Sequence, residues 1–213
     1  MRRYVGDAAA LARKDLLLEL RGRDTLPAML LFVVGVLVVF HFALPTDASK
    51  RASFGLLWVA IVFTALLGLG RAFVAEREEG VLDGLVLAPS DRSAIWVGKA
   101  ISTLAFLVLA ELVALPAFAL FFTSIDGSVV ASVALADLGI CAVGTLLAAM
   151  AAAGRARELL LPLLFVPLAI PIVAAGVGAS IAGSSGKYLA FLALYDAVFA
   201  LLAWATFEYV VTE

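Results

Sequence analysis

Six long runs of apolar residues limit the folds that this chain can adopt. A helix needs about 20 apolar residues to cross the ~30 Å hydrocarbon core of a bilayer, and these runs are continuous, without the period-two alternation of strands. With 64% hydrophobic and 15% charged residues, the chain is far more apolar than soluble domains, which have about 45–50% and about 25%. We predict an all-α integral membrane protein whose six-helix bundle spans residues 25–44, 53–73, 94–122, 128–153, 159–181 and 188–211.

Lysine and arginine are distributed unequally between the two ends of such a bundle. Twelve of the fifteen lie before the first span or in the connections that follow the second and fourth spans, with their flanks, whereas Lys50, Arg51 and Lys187 lie on the other side. Because cytoplasmic loops carry the excess of positive charge, both termini and the connection at 74–93 are predicted to be cytoplasmic. The outer connections are short, so we predict a single transmembrane domain over residues 1–213.

The polar N-terminal segment, residues 1–24, includes AAALARKDLLLELRGRD at 8–24. Its helix-forming residues and its grouped Leu16, Leu17 and Leu20 predict an interfacial helix that rests on the membrane. The alternative is a basic anchor beside the first span. No cleavable signal peptide is expected, because a small-residue cleavage pattern is lacking after the first apolar run. A net charge of −2, with no basic patch free of acidic neighbours, argues against a nucleic-acid partner.

The stretch FVAEREEGVLDGLVLAPSDRSA, residues 73–94, is the most unusual polar part of the chain. Gly80 is a natural helix stop, the apolar run after it predicts a short helix that ends at Pro89, and Asp91 or Ser93 can cap the third span. An apolar helix side in water needs a partner, which favours docking in a groove of a cytoplasmic protein over a solvated hairpin whose leucines lie on the membrane. The candidate docking residues are Glu76, Arg77, Glu78, Glu79, Gly80, Leu82, Asp83, Gly84, Leu85, Leu87, Pro89, Asp91 and Arg92.

Acidic residues inside or near the spans are the other candidates for function. Glu111, Asp137 and Asp196 lie within apolar runs, and Glu208 lies near the end of the last run. A charge at the bilayer centre costs at least about 2.5–3.5 kcal/mol on insertion scales, so such residues should face the bundle interior. A packing role and a transport pathway both stay open. The single Cys141 is predicted to be a buried small hydrophobe, and the sequence contains no cluster with metal-ligand spacing.

Several proline and glycine residues lie within the predicted spans. Pro162, Pro167 and Pro171 predict a kinked or broken fifth span, because each removes a backbone donor and crowds the preceding turn. Such a bend suits a moving gate and a static structure equally well. Glycines within the spans should allow close helix contact, and they are Gly68, Gly70, Gly139, Gly144, Gly176 and Gly178.

Three stretches of the chain resemble one known family. The segment GLLWVAIVFTALLGLGRAFVAEREEGVLDGLVLAPSDRSAIWVGKA at 55–100 closely resembles the CcmB family, haem exporter protein B. The opening LARKDLLLELRGRDTLPAMLLF at 11–32 and the ending LYDAVFALLAWATFEYVV at 194–211 are similar to the corresponding parts of that family. The resemblance thus extends over most of the chain, and the string from EREEG to APSDRSA is its most specific part.

Membership would imply the permease subunit of the cytochrome c maturation ABC transporter, in the bacterial inner membrane. Such an exporter-type permease pairs with a second copy of itself and with a separate ATPase, CcmA, and the family implies CcmC, CcmD and the haem chaperone CcmE as further partners. ATP would bind the ATPase, because this chain has no G-x-x-x-x-G-K-[ST] loop. The chain is therefore not predicted to be an enzyme itself, and haem enters as a substrate, with no cofactor assigned to the chain.

The resemblance also implies roles for individual residues. The connection from Glu76 to Ser93 would be the coupling helix seated in the ATPase cleft, where the carboxylates face basic residues, the glycines permit a bend and the leucines are apolar anchors. The single His41 could ligate haem iron, although the sequence alone favours an interfacial histidine. Coupling of ATP hydrolysis to haem export or chaperone release is the leading hypothesis, and a scaffold that relays ATPase motion without transport is the alternative.

Reporter fusions test the predicted topology. Fusions after residue 48 and after residue 85 should report opposite compartments, because one span separates the two connections and the cationic residues lie on the side of residue 85. A fusion after residue 24 is the control, and it should agree with the fusion after residue 85. The same compartment for residues 48 and 85 would overturn the topology.

Overall fold

Helices make up almost all of the structure, which is a computed structural model that describes residues 2–22, 25–45, 50–73, 91–153, 157–182 and 184–212. Within these ranges the helices are α1 (Arg2–Gly22), α2 (Thr25–Ala43), α3 (Lys50–Arg71), α4 (Arg92–Phe121), α5 (Gly127–Ala153), α6 (Arg157–Ile181) and α7 (Gly186–Thr212). Helices α2 to α7 are each long and apolar enough to cross a membrane. The six predicted spans are confirmed, and each boundary lies within three residues of its expected place.

Two side-chain contacts define the ends of the bundle. Arg92 at the start of α4 contacts Glu208 near the end of α7, at 2.9 Å between Nη1 and Oε1. We call this the terminal end, because α7 carries the C-terminal residues. His41 near the end of α2 contacts Phe121 at the end of α4, and we call this the far end. Helices α2 to α7 alternate in direction between the two ends.

Aspartates cap the helices that follow two of the connections. The Oδ1 atom of Asp91 accepts a hydrogen bond from the backbone N of Ser93 at 3.0 Å, so the predicted cap of the third span is confirmed. Asp126 does the same for α5, since its Oδ1 accepts from the backbone N of Val129 at 3.1 Å and from the Ser128 hydroxyl at 2.7 Å. The hydrogen bond from Ser128 lowers the pKa of Asp126.

Helices α3 and α5 form the centre of the bundle. In their most apolar windows, 61% of α3 and 67% of α5 is buried inside the protein, against 17% for α2 and α7. Helix α5 packs on α6 and α7, and α3 packs on α2 and α6. The outer helices thus leave most of their apolar surface to face lipid, as expected of a membrane bundle.

Glycines bring the packed helices close together, as the sequence predicted. A Cβ atom at Gly144 would collide with Leu69, and one at Gly176 would collide with the indole ring of Trp58. Trp58 is fully buried, and its Nε1 donates to the Ser180 hydroxyl at 3.2 Å. The missing side chains on α5 and α6 therefore make room for large side chains of α3.

The three prolines do not interrupt α6. The helix is continuous from Arg157 to Ile181 with Pro162, Pro167 and Pro171 inside it, so a broken span is ruled out, and the alternative of a kinked span stays a prediction. A neighbouring helix supplies a donor in this stretch, because the Tyr195 hydroxyl of α7 donates to the Leu168 carbonyl at 2.8 Å. Leu168 is not four residues before any of the three prolines, so this bond joins α7 to α6 without replacing a hydrogen bond that a proline removes.

Helix α1 packs on the first turns of α4 through small residues. A Cβ atom at Gly98 would lie 2.7 Å from the Leu11 Cβ and 3.0 Å from the Ala8 carbonyl oxygen, and Ala8 and Ala12 are buried. Leu17, one of the leucines that the sequence groups on the predicted interfacial side, is 44% exposed. The packed face is thus the alanine side, while the interfacial position of the leucine side stays a prediction.

The contact at Gly98 yields a stability prediction. Gly98→Ala should loosen α1 from α4 and lower the free energy of unfolding by about 1–3 kcal/mol, because the new methyl overpacks the contact. Gly35→Ala is the matched control, since a Cβ atom there has nothing within 4 Å. Thermal unfolding of the purified protein, followed by tryptophan fluorescence, measures both variants. Equal melting temperatures for the two would contradict the tight contact.

Candidate functional site

The structure describes the residues just before the predicted coupling segment and the last three residues of the segment, 91–93. Asp91 and Arg92 lie within the described residues, and the remaining candidates lie outside them: Glu76, Arg77, Glu78, Glu79, Gly80, Leu82, Asp83, Gly84, Leu85, Leu87 and Pro89. Phe73, just before the undescribed stretch, is 3% exposed, and the Nζ atom of Lys99 lies 5.3 Å from the centre of its ring. The segment therefore leaves α3 from a buried aromatic anchor.

A buried ion pair joins α1 to α4 beside this anchor. The Lys99 Nζ lies 3.0 Å from the Asp15 Oδ2, and the two side chains are 5% and 10% exposed. The Ser102 hydroxyl donates to the same oxygen at 3.2 Å. Removal of one partner from a buried pair typically costs about 3–5 kcal/mol, so the pair locks α1 in position. Sequence reasoning counted Lys99 as a flanking cation and missed this pairing.

The other end of the segment is held at three places. The Asp91 side chain caps α4, and the Ser93 hydroxyl contacts the Tyr4 hydroxyl of α1 at 3.1 Å. Arg92 pairs with Glu208, whose side chain is 62% exposed, and an exposed pair of this kind contributes only about 0–1 kcal/mol. Helix α1 thus reaches both ends of the coupling segment, through Tyr4 on one side and Asp15 on the other.

Three acidic residues lie at the same depth in the membrane bundle. Glu111 in α4, Asp137 in α5 and Asp196 in α7 are each ten residues from the far end of their helix. At 1.5 Å per residue this is about 15 Å, the middle of a ~30 Å hydrocarbon core. We call these three residues the acid cluster. Its members come from three helices, and the sequence named all three without indicating that they meet.

The acid cluster is buried between the helices. Glu111, Asp137 and Asp196 are 6%, 1% and 9% exposed, so the expectation that they face the interior is confirmed. The Glu111 and Asp137 carboxyl groups lie close enough to interact electrostatically, as do those of Asp137 and Asp196. Asp196 fits because α5 has a glycine opposite it, since a Cβ atom at Gly139 would collide with its carboxylate.

Most carboxylate oxygens of the acid cluster have no hydrogen-bond partner of good geometry within the described part of the protein. One oxygen of Glu111 and both oxygens of Asp137 and Asp196 are buried without a partner. Among the described residues, no group of three His, Cys, Asp or Glu side chains has the geometry to hold a metal ion. Ionisation is therefore costly here, and the cluster can act as protonated groups that pack helices together or as a polar step in a path.

An amide substitution separates charge from packing in the acid cluster. Asp137→Asn should leave the melting temperature unchanged or raise it, because the amide keeps the side-chain size and removes a buried ionisable group that lacks a counter-ion. Asp126→Ala, which removes the exposed cap of the same helix, is the comparison variant and should lower stability by about 0.5–2 kcal/mol. Thermal unfolding measures both. A loss of about 3 kcal/mol or more in Asp137→Asn would show that the ionised carboxylate stabilises the fold.

Comparison with known proteins relates the chain to one family over most of its length. The family model described as CcmB protein matches residues 7–210. A heme exporter protein B from Bradyrhizobium diazoefficiens is 30% identical over 178 residues, which cover 81% of this chain and 80% of the relative. Proteins of the same name from Pseudomonas aeruginosa and Paracoccus denitrificans are 29% and 31% identical over 181 and 183 residues, 83% of this chain in each case and 81% and 84% of the relatives. The chain, a multi-pass helical membrane protein with the architecture of a permease, therefore belongs to the CcmB family.

Proposed function

We propose that this chain is the membrane permease subunit of an ABC complex for c-type cytochrome biogenesis. In this complex a separate CcmA-like ATPase supplies the energy, and haem is the substrate that is exported or released on its loaded chaperone. The family match and the relatives named heme exporter protein B support the haem-export part. We infer the coupling to an ATPase from the side-chain contacts at the terminal end of the bundle.

The anchoring of the coupling segment is the observation that carries this proposal. A connection can transmit movement from a partner into the spans only if its ends are fixed to them. Phe73 is buried at one end under the Lys99 ammonium group, and Asp91 caps α4 at the other end. Force applied between these two points would act on α3 and α4 together, and α3 is one of the two central helices.

Helix α1 would stiffen this arrangement. The ion pair between Asp15 and Lys99 and the contact between Tyr4 and Ser93 tie it to the same turns of α4. The partner would therefore meet a surface made of the coupling segment and the exposed side of α1. We place this surface in the cytoplasm because of the distribution of lysine and arginine, and we propose the inner membrane, a second copy of the chain and CcmC-, CcmD- and CcmE-like partners from the family.

One observation favours the scaffold as a second candidate. Two glycines of α5 allow neighbouring helices to pack closely against it. Gly144 makes room for Leu69 of α3, and Gly139 makes room for Asp196 of α7. Tight contacts of this kind suit helices that move as a unit and pass motion to neighbouring subunits. In that case haem would be handled by the partner proteins, and this chain would transmit the ATPase cycle to them.

Introducing negative charge at the apolar anchors Leu82 and Leu85 tests the coupling to the ATPase. The double variant Leu82→Asp, Leu85→Asp should abolish co-purification of the ATPase subunit while membrane insertion stays normal, because the two carboxylates cannot enter an apolar groove. Gly127→Asp is the control, since Gly127 begins α5 at the far end and a Cβ atom there has nothing within 4 Å, and it should retain the ATPase. Unchanged co-purification by the double variant, at normal membrane levels, would refute the docking role.

A further inference from the structure

The imidazole of His41 is held in a defined orientation at the far end of the bundle. Its Nδ1 lies 3.0 Å from the carbonyl oxygen of Phe121. A carbonyl can only accept a hydrogen bond, so Nδ1 carries the proton of this bond. In the neutral ring the proton on Nδ1 leaves the lone pair of Nε2 free.

This hydrogen bond exists because Phe121 is the last residue of α4. Carbonyl groups in the last turn of a helix have no intrahelical donor, and the His41 ring supplies one from α2. The bond to Phe121 is the only hydrogen bond between the His41 ring and the described residues. A histidine whose Nδ1–H is bonded to a backbone carbonyl, with an unoccupied Nε2, has the arrangement typical of metal-ligating imidazoles.

Aromatic rings surround the imidazole. The ring centres of Phe42, Phe121 and Phe122 lie 5.4, 5.1 and 5.9 Å from the centre of the His41 ring. Phe42 is 82% exposed, and the His41 ring is itself exposed. Phe122 stacks on the buried Phe118, so the aromatic group is anchored in the core. The surface around the imidazole is therefore apolar and joined to the core through Phe122 and Phe118, which suits an aromatic ligand.

Positive charge lies at the same end of the bundle. Lys50 and Arg51 begin α3 and are exposed. One turn later Phe54 packs against Phe118, with 5.4 Å between the ring centres, so the start of α3 adjoins the same aromatic group. Neither cation forms an ion pair with another described residue. Two cationic side chains are thus available for the carboxylates of a ligand.

We propose that the far end carries a haem-docking site in which His41 Nε2 is an axial ligand to the iron, the neighbouring phenylalanines contact the macrocycle, and Lys50 and Arg51 pair with the propionates. The step is simple coordination: Nε2 donates its lone pair to the iron and displaces water or another weak ligand, with no change of oxidation state. This inference rests on the proposed function, because it takes haem as the substrate of the complex. It assigns haem a binding site at the far end, which the distribution of lysine and arginine predicts to lie outside the cytoplasm.

The sequence alone favours an interfacial histidine, and three structural facts change that interpretation. The Phe121 carbonyl fixes the tautomer, the imidazole ring has aromatic neighbours from both α2 and α4, and two cations lie at the start of α3. An iron ligand, an apolar surface and cations for carboxylates are the recognition elements that an iron porphyrin requires. None of them needs the acid cluster or the coupling segment.

Titration of the full-length protein with ferric haem in lipid nanodiscs tests the site. The wild type should bind about one haem per chain with a sharpened, red-shifted Soret band. His41→Gln should bind at least about tenfold more weakly without that shift, because the amide can still donate to the Phe121 carbonyl but is a poor ligand for haem iron. Metal-free protoporphyrin should bind both proteins equally, since it has no iron to coordinate.

A rescue experiment protects the test against misfolding. His41→Gly should recover the shifted Soret band when free imidazole is added, since imidazole can occupy the space and ligate the iron. Lys50→Gln with Arg51→Gln should weaken binding without changing the band position. Equal affinity and equal spectra for wild type and His41→Gln would overturn the site and show that haem only partitions into the lipid. The ATPase association is measured separately through Leu82 and Leu85, so the proposed function would stand after that result.

Discussion

The interior of a bilayer offers no hydrogen-bond partners, and this constraint organises the whole molecule. Each polar group at membrane depth must find a partner within the protein, carry a proton or lie at an end of the bundle. The backbone meets the constraint by forming helices, and even the three prolines of α6 stay within a continuous helix. Charged side chains meet it in pairs, as Lys99 does with Asp15 near the terminal end. Among the described residues, the acid cluster does not satisfy this constraint, because most of its buried carboxylate oxygens have no hydrogen-bond partner.

The same constraint separates the molecule into levels with different chemistry. At the terminal end, charge pairs join α4 to α1 and to α7, and Asp91 caps α4. At mid-depth the packing depends on glycine, because Gly139 makes the room that Asp196 occupies. At the far end, the His41 ring satisfies the last carbonyl of α4. Helix α4 runs through all three levels, so one continuous helix links the cap at Asp91 with Glu111 and Phe121.

The sequence predicted the spans well because hydrophobicity over 20 residues is a strong local signal. It also predicted the Asp91 cap and the inward position of Glu111, Asp137 and Asp196, because each depends on one residue and its depth. It did not predict the face that α1 packs on, where the buried Ala8 and Ala12 count for more than the exposed Leu17. Small residues give no hydrophobic signal, although their lack of bulk is what lets α1 approach Gly98.

The amino-acid sequence by itself determined the class of the protein, the number and limits of its spans, and its family resemblance, since these follow from composition, local periodicity and short motifs. Only the tertiary structure decided which polar residues meet. Lys99 is 84 positions from Asp15 in the sequence, and His41 is 80 positions from Phe121. Contacts of this kind depend on how the helices are arranged and rotated against each other, and packing of the whole bundle sets that arrangement.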